Sequence, residues 1–250
     1  MAEDVPERAG MGRLMAIAVN TIEVDGVAEE VSLKAFLLQA VLWLPLAFFL
    51  WFVLRTVAVY PVVRLVSAVL TGWLPEVFSG ASQNFHTIDV DTLLPAPGQF
   101  DAEGRQGLIT LTSNALQYAY GMPVLIGLVM ATPMTWTRTF VQLAIGFTVL
   151  IPMQAFGVTT ELLKIVAFET GPGGAQALAS NGISLTALAL AYQFGYLILP
   201  ALTPIVLWIL MNRPFIEALR IPPENVEPNM EPLPIARVDV DAPLDATRNE

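Results

Sequence analysis

Apolar positions along this chain are gathered into a few long runs, and the polar positions into the stretches between them. Ala35–Leu54 reads AFLLQAVLWLPLAFFLWFVL, twenty residues without a charge. At 1.5 Å per residue such a helix is about 30 Å long, one hydrocarbon thickness. Three further runs, within 114–132, 138–168 and 183–212, have the same character. Asn114 followed by Gln117 resembles a capping box and marks the second helix start. The pattern predicts an all-α integral membrane protein with about four transmembrane helices.

The polar stretches fill in the rest. Residues 1–34 read as a poorly ordered arm, and the first crossing occupies 35–60. Residues 61–75, from Pro61 to Pro75, are too short for an easy crossing and carry Arg64. They predict an interfacial or partly embedded helix with Arg64 snorkelling to the headgroups, a second true crossing being the alternative. Within 76–113, NFHTIDVDTLL and GLITLT alternate with period two, and PAPGQFDAEGRQ supplies turn residues between them. A small β-hairpin outside the membrane follows. Residues 169–182 form a polar loop around Gly171-Pro-Gly-Gly. Residues 213–250 form a tail with too much proline and acid to build a core.

Charge distribution supports this partition. The net charge is -10, yet only 14% of residues are charged and 55% are hydrophobic. Mean hydropathy is +0.62. Seven acids against three bases lie in 1–34, five against one in 76–115, and eight against four in 213–250. The acidity therefore belongs to water, and it gives nucleic acid no basic patch to bind. Acids surround the short apolar run Leu14–Val19, so no cleaved signal peptide is expected. Four crossings place both termini on one face. Lys34, Arg138, Arg213 and Arg220 then flank the membrane there, beside Trp136 and Trp208, and the positive-inside rule makes that face cytoplasmic. Tyr118 and Tyr120 fall at the opposite interface. Arg55 and Arg64 lie against the rule, and a five-span arrangement would place the tail outside.

Candidate chemistry is sparse. The sequence has no cysteine and one histidine, His86, which removes thiolate nucleophiles and His-rich metal sites. No cofactor is implied. Asp89 and Asp91 beside His86 read as a solvated strand face rather than a metal pair. The glycines at 171, 173 and 174 lack the Lys-Ser or Lys-Thr of a nucleotide loop. Gly121, Gly127, Gly146, Gly157 and Gly195 read as close helix contacts. Glu161 and Lys164 fall three residues apart where the third helix has already crossed, so they mark its exit. On one helix face they can pair, for roughly 0–1 kcal/mol. Gln154 lies deeper on a similar face, and Gln193 sits in the last crossing. Gln154, Glu161, Lys164 and Gln193 form a candidate polar patch, either structural glue or a partner or substrate contact, with Arg64 a further contact candidate.

Four segments carry a family likeness: VLWLPLAFFLWF (41–52), NALQYAYGMPV (114–124), PMQAFGVTTELLK (152–164) and YQFGYLILPALTPIVLWILMNRPF (192–215). Over roughly residues 35–220 the chain resembles the exosortase H-associated membrane proteins. The resemblance implies a bacterial inner-membrane protein accompanying a transpeptidase that processes proteins with C-terminal sorting signals. It supplies no catalytic residues. Exosortases use a cysteine nucleophile, so a chain without one reads as a non-catalytic accessory, with membrane lipid and the sorting enzyme or its substrates as partners. The alternatives are a small transporter or channel component with Gln39, Gln154 and Gln193 along a polar path, or a membrane enzyme on lipid or glycan substrates using Glu161 or the Asp89/Asp91 pair. Both termini are expected on the cytoplasmic face. A membrane-impermeant reagent applied to intact cells should leave tags at residues 1 and 250 equally unlabelled, and labelling of one alone would overturn the four-span arrangement.

Overall fold

A computed structural model describes residues 33–100 and 102–219. The expected arm lies outside the described residues except for Leu33 and Lys34, as do Arg220 and the tail beyond Leu219. Two helices open the described chain, α1 (Leu33–Val53) and α2 (Arg55–Trp73). Only Leu54 stands between them. Its N–H still donates to the Leu50 carbonyl at 2.9 Å, and its own carbonyl accepts from Ala58 at 3.0 Å. The break therefore falls at Leu54, and α2 runs through Pro61 rather than starting there.

A three-stranded antiparallel sheet follows, in the order β1 (Phe78–Asn84), β2 (Thr87–Phe100), β3 (Gln106–Asn114). The expected hairpin is present as β2 and β3, with Val90 opposite Leu111. β2 runs on through PAPGQF with an irregular register around Pro95, because proline cannot donate to a ladder. β1 is an addition to the expected pair, with Ala81 opposite Val90. Its sequence, FSGASQN, anchors buried Phe78 in the first cluster but holds no apolar alternation beyond it, so pairing at the sheet edge makes the rest a strand.

The remaining elements are helical: α3 (Leu116–Ala119), α4 (Gly121–Ala131), α5 (Trp136–Glu169), α6 (Pro172–Ser180), α7 (Leu185–Gln193), a π-helical turn at Phe194–Ile198, α8 (Leu199–Met211) and α9 (Arg213–Ala218). α6 lies where a loop was expected. Gly171, at φ 86°, makes the turn, Pro172 begins the helix, and Leu178 is fully buried. By length and composition four helical stretches could cross a membrane: Leu33–Val53, Arg55–Trp73, Trp136–Glu169 and Leu185–Met211, with Leu116–Ala131 apolar but shorter.

Two apolar clusters divide these elements. One joins the buried face of α2, the inner face of the sheet, the second half of α5, and α6 and α7 around Val66, Ile88, Leu162 and Leu178. The other joins α1, α4, the first half of α5, α8 and α9 around Leu125, Val129, Leu150 and Trp208. Here α1 packs on α4 and α4 on α8, at distances set by glycine. A Cβ at Gly127 would come within 2.6 Å of Leu44, and one at Gly121 within 2.9 Å of the Pro200 carbonyl. α5 belongs to both clusters.

One end of the second cluster is closed by polar contacts. Gln142 donates to Asn212 at 2.8 Å and accepts from it at 3.0 Å, both amides being buried. Trp208 donates to Thr132 at 2.9 Å and stacks on Phe36 at 5.5 Å. Arg138 donates to the Met211 carbonyl at 3.3 Å. Trp136 is exposed here, but Trp208 is buried and is not an aromatic-belt residue as the sequence suggested. Gln142→Leu should lower stability by about 1–2 kcal/mol, because it leaves the Asn212 amide short of its partners. The double change Gln142→Leu with Asn212→Leu should recover part of that loss. Thermal unfolding in detergent micelles reads both.

Candidate functional site

Three of the four segments that carry the family likeness meet where the first cluster adjoins the second, around Tyr118 and Val158. They are brought together by the absence of side chains. A Cβ at Gly157, in α5, would overlap the ring of Tyr118, from α3. A Cβ at Gly195, in the π-helical turn, would lie 3.2 Å from the Gly157 Cα and 3.2 Å from the Thr160 hydroxyl. Tyr118 is therefore held against α5, and the π-helical turn against both.

The aromatic rings then line up. Tyr118 meets Tyr196 edge-on at 5.9 Å, and Tyr196 stacks on Tyr192 at 5.8 Å. Tyr192 and Tyr196 are four residues apart, so both lie on one side of the helix. π-turns of this kind occur often at functional sites. The Lys164 ammonium lies 5.6 Å from the centre of the Tyr192 ring, close enough for a cation–π attraction.

Glu161 is the polar centre. Its carboxylate accepts from the Ser113 hydroxyl at the end of β3, and from the Gln117 amide of α3 at 2.7 Å. Ser113 is almost wholly buried, while Glu161 is half-buried. One carboxylate thus ties sheet, short helix and long helix together. The Tyr118 hydroxyl is buried nearby without a hydrogen bond of acceptable geometry among the described residues, and so is the Gln154 amide nitrogen.

Several sequence expectations are corrected by this geometry. Glu161 and Lys164 do not pair; Lys164 bonds Glu169 instead, five residues further on. α5 continues to Glu169, which brings a second carboxylate within reach of the lysine, while Glu161 turns toward the donors of β3 and α3. Gln117 is not part of a capping box, since it is committed to Glu161, and Asn114 accepts from the Leu116 N–H at 3.2 Å. Gln154 is buried and Gln193 exposed, and no hydrogen bond joins them among the described residues. Arg64 stands apart, exposed on the middle of α2. Gln39 is exposed on α1 and accepts from Trp43 at 3.2 Å. Asp89 and Asp91 accept from Thr112 and Thr110 across the sheet, at 2.8 and 2.9 Å. No group of three His, Cys, Asp or Glu that could hold a metal occurs among the described residues.

Sequence reasoning missed the tyrosines as a group and the groove beside them. An apolar groove of about 590 Å³ runs between α2, α5 and the start of α7. Leu65, Trp73, Phe156, Leu163 and Leu188 line it, with the hydroxyls of Thr159 and Ser184 as sparse polar points. Its α5 wall, with Thr159 and Leu163 each two residues from Glu161, is the side of the helix nearly opposite that carboxylate. The tyrosine spacings were visible in YAY and YQFGY, but only the fold brings the two motifs together.

Glu161→Leu should lower stability by about 1–3 kcal/mol, because Ser113 and Gln117 would lose their shared acceptor. Glu161→Gln keeps an acceptor oxygen and should lose less. Thermal unfolding of the purified protein in detergent separates the two.

No curated protein and no solved structure shows significant similarity to the chain. The family model of exosortase H-associated membrane proteins matches residues 30–215, which includes both clusters, the sheet and the Glu161 site. With most of its length matched, this chain belongs to the exosortase H-associated membrane protein family.

Proposed function

We propose that this protein is a non-catalytic accessory subunit of the bacterial inner membrane that works with an exosortase-type sorting enzyme. Its Glu161–tyrosine site is the surface that meets the enzyme or its substrates. The observation that carries this reading is the family match together with the meeting of three of its likeness segments at one place. The sequence lacks a cysteine, so a thiolate nucleophile must come from the partner.

The membrane arrangement follows from length. α1, Leu54 and α2 together make about 60 Å of nearly continuous helix, twice a hydrocarbon thickness. Only one of the two helices fits within the bilayer. α1 is the better candidate, being more apolar and exposed on nearly every side. α2 carries exposed Arg64 and covers the sheet. The four crossings are then α1, α3 with α4, the first half of α5, and the π-turn with α8. The sheet, α2, α6, α7 and the end of α5 form a domain on the extracytoplasmic face. Lys34, Arg138 and Arg213 lie at the cytoplasmic end, with both termini on that side. The transporter reading loses support, since Gln39 and Gln193 are exposed, Gln154 is buried, and no hydrogen bond links them among the described residues. The enzyme reading loses its Asp89/Asp91 pair to cross-strand threonines.

The protein should co-purify with the sorting enzyme in mild detergent. Glu161→Gln and Lys164→Ala, expressed at normal levels, should each reduce the yield of processed substrate proteins in cells several-fold. Normal processing by both variants would remove the Glu161 edge as a contact surface.

A further inference from the structure

We infer that the β1–β2 turn is a membrane foot, with the Phe85 ring seated in the lipid interface on the face from which the sheet rises. The turn has two residues, Phe85 and His86, between the paired Asn84 and Thr87. Phe85 has φ 53°, among the described residues the one non-glycine residue in the left-handed region. Glycine or asparagine is the usual occupant of such a turn, and either would avoid the strain that phenylalanine brings. The ring gains nothing from the sheet in return, being 75% exposed. A strained position that presents a large apolar ring to the outside calls for something outside the chain to receive it.

The place of the turn identifies that receiver. α2 rises about 28 Å over its 19 residues. β1 returns about 23 Å over its seven. The turn therefore arrives back at the level where α2 began. Gln83 fixes it there, donating from one amide nitrogen to the Thr56 carbonyl and to the Phe85 carbonyl, each at 2.6 Å. Thr56 is three residues past the end of α1, whose last turns expose Phe49, Phe52 and Val53. Arg55 sits at the same level, donating to the Phe52 carbonyl at 3.1 Å with its guanidinium 4.3 Å from that ring. An exposed aromatic ring, a second aromatic and an arginine at one level, directly above an apolar helix of hydrocarbon length, fit the headgroup boundary of a bilayer. The occupant is lipid, since the apolar surface of α1 continues directly into the foot.

The inference rests on the reading of α1 as a crossing, and site-directed labelling separates the two. The sequence has no cysteine, so Leu42→Cys, Phe85→Cys and Ala102→Cys each give one attachment point for a nitroxide. Leu42 lies on the exposed surface of α1, and Ala102 in the turn between β2 and β3 at the other end of the sheet. The probes are oxygen, which partitions into lipid, and a water-soluble nickel chelate. The protein is held in nanodiscs of phosphatidylethanolamine and phosphatidylglycerol. The oxygen-to-nickel accessibility ratio should be highest at position 42, lowest at 102, and several-fold above the 102 value at 85. A ratio at 85 equal to that at 102, with 42 still in lipid, would overturn the foot and leave the crossing intact. A water-like ratio at 42 would overturn the crossing itself, and a lipid-like ratio at 102 would overturn the orientation of the sheet.

Discussion

The close approach of Gly157 to the Tyr118 ring and to Gly195 is the contact on which the remaining geometry depends. Lipid tails are as apolar as leucine, so helices in a membrane gain little from burying apolar surface against each other. They hold together by close packing and by a few hydrogen bonds. Where the side chain is missing at residue 157, Tyr118 can lie flat on α5. The same gap admits the π-helical turn at Gly195. With those two elements seated, Gln117 reaches Glu161, Ser113 arrives with the end of the sheet, and Tyr196 meets Tyr118. A larger residue at 157 would separate the elements that make the site before it touched any polar partner.

The two ends of the molecule use polar groups differently. At the Phe36 end, Gln142 and Asn212 satisfy one another and Trp208 is given to Thr132, a closed set that fixes helices. At the Glu161 site, the carboxylate accepts from Ser113 and Gln117 and acts on the Tyr118 hydroxyl beside it, while the Gln154 amide nitrogen is left over. Buried polar groups ordinarily find partners. The first set is closed, whereas the second leaves a buried amide without a partner among the described residues.

Much of this architecture was legible in the chain. Apolar runs of hydrocarbon length gave the helices of the second cluster, and period-two alternation gave β2 and β3. Isolated glycines in apolar helices gave the sites of closest approach, at Gly121, Gly127, Gly146, Gly157 and Gly195. β1 was not legible, because a short polar edge strand leaves no hydrophobic signature. α6 was hidden behind a Gly-Pro-Gly-Gly start that reads as a turn. The partners of Glu161 and Lys164 were misjudged for a related reason. Spacing along one helix shows which residues share a face, but not that Ser113 and Gln117 arrive from elsewhere or that the helix continues to Glu169. The exposure of Trp208 was misread because an indole at a helix end suits an interface as well as a core.

Helix α5 contributes Gln142 to one cluster and Glu161 to the other without a break between them. Its phase is therefore fixed at both ends. Adding or deleting one residue between these positions would rotate everything beyond it by about 100° and shift it by 1.5 Å. Glu161 would then point away from β3 even though every residue of the site was still present. A change of seven residues, close to two full turns, would restore the direction but move the domain by about 10 Å. The spacing from 142 to 161 thus acts as a ruler, setting both the height of the sheet above the bundle and the direction in which its tyrosines face.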